Sequence, residues 1–173
     1  GGTTGLEPNN TGCTVSDIDG NIYEAILIGD QLWMKENLKT THYSDGDMIP
    51  RVYSGSEWTS LTTGAYAVYG DVEKYGKLYN WYAVNDSRGL CPEEWDAPSD
   101  DEWQILVDYL GGMWDAGGKM KSTGTIENGD GLWYAPNEGA TNKSEFTSHP
   151  GGFRHNSDGN YYMLAYGSYF WSS

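Results

Sequence analysis

Pro98-Ser99-Asp100-Asp101-Glu102-Trp103-Gln104-Ile105-Leu106-Val107-Asp108-Tyr109-Leu110-Gly111-Gly112 carries both ends of a helix in its own residues. Ser99 and Glu102 form an S-x-x-E capping box, in which each side chain satisfies an amide the other end of the turn leaves open. Asp100 and Asp101 place negative charge at the positive pole of the helix dipole. Trp103, Leu106, Val107 and Leu110 recur at helical spacing on one face, and Gly111-Gly112 stops the helix. Pro98 holds Ala97 extended before it.

The sequence on either side reads differently. Asn21-Ile22-Tyr23-Glu24-Ala25-Ile26-Leu27-Ile28 is rich in β-formers, and Gly29-Asp30 is a Gly-first two-residue loop returning through Gln31-Leu32-Trp33-Met34. Asp17-Ile18-Asp19-Gly20-Asn21 precedes it as a plain turn, because its glycine and the residue at Ile28 miss the positions an EF-hand loop requires. Leu78, Trp81 and Tyr82 predict a first helix over residues 76–84. Residues 39–75 lack periodicity and are expected to pack through Tyr43, Tyr53, Trp58, Tyr66 and Tyr69. Gly117-Gly118-Lys119-Met120-Lys121 and Asn128-Gly129-Asp130-Gly131-Leu132-Trp133 read as short strands or loops broken by glycine. Two helices among short antiparallel strands and long ordered loops make an α+β fold.

The 173-residue chain holds 25 Asp and Glu against 10 Lys and Arg, a formal net charge of −15. That balance excludes a nucleic-acid partner, which needs cations for its phosphates, and an anionic membrane surface. No window approaches the ~20 apolar residues of a spanning helix, so membrane insertion is excluded by the same reading. The 24 Gly, 14 Tyr and 8 Trp argue for an ordered, loop-rich domain rather than a disordered one. Residues 1–12, which begin Gly1-Gly2-Thr3-Thr4-Gly5, have neither a basic nor an apolar leader segment. They read as a flexible linker or processed terminus ahead of a single domain at 13–173. Cys13 and Cys91 are too few for a disulfide scaffold; a mutual bridge, two free thiols or pairing outside the chain all stay open.

The final segment, 151–173, concentrates tyrosine, serine and glycine. Rigid amphipathic tyrosines beside small adaptable polar residues are what antibody-type binding surfaces use, and tyrosine also stacks on sugar rings. His155, Asn156, Ser157, Asn160, Tyr161, Tyr162, Met163, Tyr166, Ser168 and Tyr169 are therefore the candidate ligand-binding residues, with Phe153, Leu164, Phe170 and Trp171 expected in the core. No catalytic motif appears, and His42, His149 and His155 lack partners for a recognisable metal set. The turns at Asp45/Asp47 and Asn128/Asp130 offer calcium two oxygen-bearing residues each where the ion takes six to eight ligands, so no cofactor is expected and calcium stays the alternative.

Eight ordered motifs carry a family resemblance: Asp17-Ile18-Asp19-Gly20-Asn21-Ile22-Tyr23, Ile28-Gly29-Asp30-Gln31-Leu32-Trp33-Met34, Glu36-Asn37-Leu38, Gly76-Lys77-Leu78-Tyr79-Asn80-Trp81-Tyr82-Ala83-Val84, Leu90-Cys91-Pro92, Gly139-Ala140-Thr141-Asn142, Pro150-Gly151-Gly152-Phe153-Arg154 and Trp171-Ser172-Ser173. The chain resembles the Fibrobacter succinogenes major paralogous domain (FISUMP) family from Cys13 to its end. The resemblance implies a C-type lectin-like fold of the formylglycine-generating-enzyme branch and a secreted or cell-surface bacterial setting. The last segment also resembles the variable region of retroelement-diversified proteins. Asp96 stands where the family often has His, and Ala165 and Ser168 where glycine is commoner. Family chains usually continue past Trp-Ser-Ser into a closing strand, which implies that this strand is missing or supplied by another chain. The enzyme of that branch uses paired C-terminal thiols, which Cys13 and Cys91 do not match. The expectation is a non-catalytic binding module of adhesin or receptor type, for a protein or glycan ligand; the alternative is a subunit that self-associates by strand exchange.

Overall fold

The computed structural model describes residues 13–173; the linker expected over residues 1–12 lies outside them. The architecture is α+β. Strands β1 (Cys13–Ser16), β2 (Ile22–Ile28) and β3 (Gln31–Met34) form an antiparallel sheet in the order β1-β2-β3. The β2–β3 turn is the expected one: Ile28 pairs with Gln31, and Gly29 has φ +63°. The preceding turn is also as expected, with Asp17 accepting from the Asp19 and Asn21 amides and from the Tyr23 hydroxyl, and with Gly20 at φ +80°.

Helix α4 (Asp100–Tyr109) has both capping-box bonds, Glu102 N–H to Ser99 Oγ at 3.3 Å and Ser99 N–H to Glu102 Oε2 at 2.8 Å. It is joined by more helices than the two expected. Residues 39–75 contain α1 (Gly55–Ser60), β4 (Tyr66–Ala67) and α2 (Val72–Tyr75). Tyr43, Trp58 and Tyr66 are buried there as expected, but Tyr53 is 72% exposed. The helix expected over 76–84 is instead a strand followed by one helical turn. Gly76 sits at φ +71°, β5 (Leu78–Tyr79) pairs with β4, and Asn80 caps α3 (Trp81–Val84) through Oδ1 and the Ala83 amide.

The glycine-rich stretch expected as strand or loop is helix α5 (Met113–Met120). Gly118 lies inside it where the backbone of Gly139 leaves no room for a Cβ, and the Gly118 carbonyl accepts from the Thr141 amide at 2.8 Å. Leu106, Leu110, Ala116 and Met120 from α4 and α5 pack with Ile28, Trp33 and Phe146 into one core cluster. A second gathers Tyr43, Ile49, Tyr66, Tyr79, Ala83 and Leu90 under β4–β5, and a third Val52, Trp58, Ala65 and Ala67. The last strands, β6 (Gly151–Arg154) and β7 (Tyr161–Leu164), form a separate hairpin. Among the described residues no helix is long and apolar enough to cross a membrane.

Candidate functional site

The β6–β7 hairpin sorts its side chains by strand alternation, since neighbours along a strand point to opposite faces. Phe153 pairs with Tyr162, and Arg154 with Tyr161. Arg154 turns inward and is 8% exposed. Its guanidinium lies between the rings of Trp58 (4.6 Å) and Tyr161 (4.8 Å). It donates to the carbonyls of Val52 (2.7 Å), Tyr53 (3.0 Å) and Gly159 (2.9 Å). Gly159 packs on the backbone of Gly55 at the start of α1, leaving no space for a side chain. These inward groups fix the hairpin to the first half of the chain.

The outward face carries an aromatic patch. Phe153 lies 4.7 Å from Tyr169, 5.7 Å from Tyr162 and 6.1 Å from His155, ring to ring. The Tyr162 hydroxyl donates to Asp158 Oδ2 at 2.7 Å, and Asp158 stands 3.6 Å from His155 Nδ1. The Asn160 amide and the Tyr162 hydroxyl hold the Asp158 carboxyl below its ordinary range.

The tail after Tyr169 runs across to α3. Trp171 Nε1 donates to the Tyr79 carbonyl at 2.8 Å, its ring lies 5.8 Å from Trp81, and Trp103 Nε1 donates to the Trp171 carbonyl at 3.1 Å. Hairpin, tail and α3 together enclose a cleft of about 770 Å³.

The ten sequence-predicted residues divide. His155, Asn156, Ser168 and Tyr169 line the cleft, and Tyr162 backs its aromatic wall. Ser157 and Asn160 are exposed on the connecting turn. Met163 and Tyr166 form a separate patch, with Tyr166 stacked 4.6 Å from Tyr134. Tyr161 faces inward between Arg154 and Tyr69 (4.8 Å), so it serves the scaffold rather than the outer face. The Ser168 hydroxyl is tied to Ser148 and the His149 carbonyl. Phe170 and Trp171, expected in the core, are 41% and 46% exposed because they wall the cleft; Phe153 and Leu164 are half-buried.

Sequence reading missed Thr59, Lys77, Trp81 and Tyr82 on the opposite wall. The available signal was Asn80: read as a cap, it would have started a helix at Trp81 and turned these rings outward.

Cys13 and Cys91 are both free, so the bridge considered from sequence is not formed. Cys13 is exposed on the outer strand β1, whereas burial, with Asp96 nearby, pushes the Cys91 thiol up to about 11. The thiolate is the reactive form. In native protein near pH 8, iodoacetamide is expected to modify Cys13 and spare Cys91, with both modified in denaturant; mass spectrometry of the two digests checks this. The carboxylates of the turns weighed for calcium are engaged internally, Asp45 by the Asp47 amide, Asp47 by Arg88 and Asp130 by the Thr125 amide.

A family model described as the Fibrobacter succinogenes major domain matches residues 26–173. No curated protein and no solved structure matches the chain.

Proposed function

The chain belongs to the Fibrobacter succinogenes major domain family, and from that premise we propose that it is a ligand-binding module rather than an enzyme, acting at the bacterial cell surface or outside the cell. One observation carries the reading. The cleft between hairpin, tail and α3 is walled by exposed aromatic side chains, Trp81, Tyr82, Tyr169 and Trp171 among them, held by a buried frame. Exposed rings with polar neighbours bind well because few rotamers are lost when they dock.

We also propose that the scaffold is of C-type lectin-like type and that the hairpin's outer side chains are the part that varies among such proteins. The separation of roles supports this. Gly152, Arg154 and Gly159 fix the backbone, while Asn156, Ser157 and Asn160 are exposed beyond it. Exchanges at exposed positions away from special backbone features usually change stability within about 0.5 kcal/mol.

The test is a glycan and protein array probed with the wild type, then with Trp81→Ala and Tyr169→Ala. Each substitution is expected to weaken the captured ligand at least about tenfold, as interface anchors do. Melting temperature should stay within a few degrees, since both side chains are partly in solvent. A ligand held equally well by both variants would place binding elsewhere and remove this reading.

A further inference from the structure

A second cleft, of about 500 Å³, shares the Phe170 and Trp171 wall with the first. Asp30, Glu36, Glu94, Asp96 and Glu102 line it, against one lysine. That lysine, Lys35, is paired with Glu24 at 2.8 Å, and its charge also acts on Glu36. His149 Nδ1 is bonded to the Lys74 carbonyl at 2.8 Å. Glu36 accepts from the Glu24 amide, and Glu102 closes the capping box. Among the described residues, the carboxylates of Asp30, Glu94 and Asp96 accept no hydrogen bond and have no cation within 4.0 Å. Asp96 acts on the cleft wall itself: after burial, its charge is the second cause that raises the Cys91 thiol.

Aromatic rings supply much of the remaining lining. Trp33 lies 4.8 Å from Trp103, Trp103 5.4 Å from Phe170, and Phe170 5.7 Å from Phe146, ring to ring; Trp95 and Trp171 line the cleft as well. Phe170 and Trp171 are open to solvent. Two polar atoms on lining residues are shut off from water without a hydrogen-bond partner, the donor Trp33 Nε1 and the acceptor Gln31 Oε1. Trp33 is 7% exposed, and a buried polar atom left unpaired is costly. Cations are drawn to the faces of indole and phenyl rings, and carboxylates along a concave wall concentrate their field on the same guest. The volume falls within the roughly 300–1,000 Å³ of small-ligand sites.

We propose that this second cleft receives an arginine side chain of a partner polypeptide, its guanidinium stacked on the aromatic wall and paired with Glu94 and Asp96. A guanidinium answers both halves of the lining. Its flat, weakly hydrated face suits the rings, and its forked N–H groups suit a carboxylate. An ammonium meets the carboxylates but has no face to stack. A bare metal ion needs its ligands gathered at one point, and no such group of three His, Cys, Asp or Glu exists among the described residues. The two unpaired atoms favour a polypeptide as the carrier. Its N–H groups are donors for Gln31 Oε1 and its main-chain carbonyls are acceptors for Trp33 Nε1, which the protein leaves without either. The site holds independently of what the first cleft binds.

The experiment is an NMR titration of isotope-labelled protein with end-capped Gly-Ser peptides carrying one central arginine, or in its place lysine or citrulline, the neutral isostere of arginine. The indole N–H signals report where binding occurs. Those of Trp95 and Trp103 are expected to shift saturably with the arginine peptide, while that of Trp114, 95% exposed and outside the cleft lining, stays still. The citrulline peptide should bind about tenfold more weakly and the lysine peptide about threefold more weakly. Glu94→Gln/Asp96→Asn is expected to lose about tenfold in affinity for the arginine peptide. Glu57→Gln/Glu138→Gln, which removes two charges outside the cleft, should keep that affinity. Circular dichroism confirms that both double variants fold. Equal binding of arginine and citrulline, equal losses in the two double variants, or no saturable shift by about 10 mM peptide would overturn the proposal. Equal binding of the lysine peptide would overturn the guanidinium assignment. The array experiment with Trp81→Ala and Tyr169→Ala reports on the first cleft separately.

Discussion

Replacing Arg154 with Met is expected to lower the melting temperature by roughly 8–16 °C, from a loss of about 4 kcal/mol at two to four degrees per kcal/mol. The side chain is almost fully buried, and its three hydrogen bonds end on the carbonyls of Val52, Tyr53 and Gly159. Bonds from a charged donor contribute about 1.5–3 kcal/mol each, and a buried acceptor left without a partner costs about 1–3 kcal/mol. The three are coupled through one guanidinium, so the sum is discounted. Met fills the slot between Trp58 and Tyr161 but donates nothing. Lysine keeps the charge, yet its single ammonium cannot reproduce the planar fork, so Arg154→Lys is expected to recover less than half of the loss. The bond to Val52 spans 102 residues of sequence and ties the last hairpin to the first half of the fold. Thermal denaturation of the three proteins checks this, and a drop of only one or two degrees in Arg154→Met would show that the carbonyls find other partners.

What the sequence discloses follows the range of the interaction. The capping box at Ser99 and Glu102 and the hairpin turn at Gly29 are closed by residues within a few positions of each other, so both could be read directly. Helix α5 could not, because Gly117-Gly118 looks like a breaker, and the Gly139 backbone and Thr141 amide that meet Gly118 are distant in sequence. Leu78, Trp81 and Tyr82 have helical spacing only because a strand residue and two helix residues happen to follow one another; the pairing of Leu78 with Ala67 decides otherwise.

The segment proposed to bind ligand is legible as a region but not residue by residue. Tyr161 and Tyr162 are chemically identical, and only the alternation of β7 sends one to Arg154 and the other to the outer patch. Phe170 and Trp171 illustrate the converse limit. An aromatic ring in a cleft wall carries the same sequence signal as one in a core, and only the open side distinguishes them. Ala165, where the family resemblance points to glycine, adopts φ +66° and is buried, which accounts for that preference in backbone terms.

Gly152→Ala is expected to lower stability by about 3 kcal/mol, shifting the melting temperature by roughly 6–12 °C. Gly152 has φ +63° in the middle of β6, a conformation that costs a residue with a Cβ about 1–2 kcal/mol. The added methyl would also strike the Tyr162 carbonyl and stand 2.8 Å from the Leu164 amide nitrogen. Both obstacles are backbone atoms of the paired strand, so relief requires β7 to move, and β7 carries Tyr162 to its place against Phe153. Ligand affinity at the cleft should therefore fall at least about tenfold even under conditions where the variant is fully folded, as loss of an interface anchor does. Gly129→Ala supplies the control. It has a similar φ of +74° but nothing within 4 Å of the new methyl, so it should show only the backbone strain and leave affinity unchanged. Denaturant unfolding and titration of both variants separate the two contributions. Equal losses would mean that the hairpin yields freely around Gly152, and that the frame holding the outer aromatic face is softer than its hydrogen bonds imply.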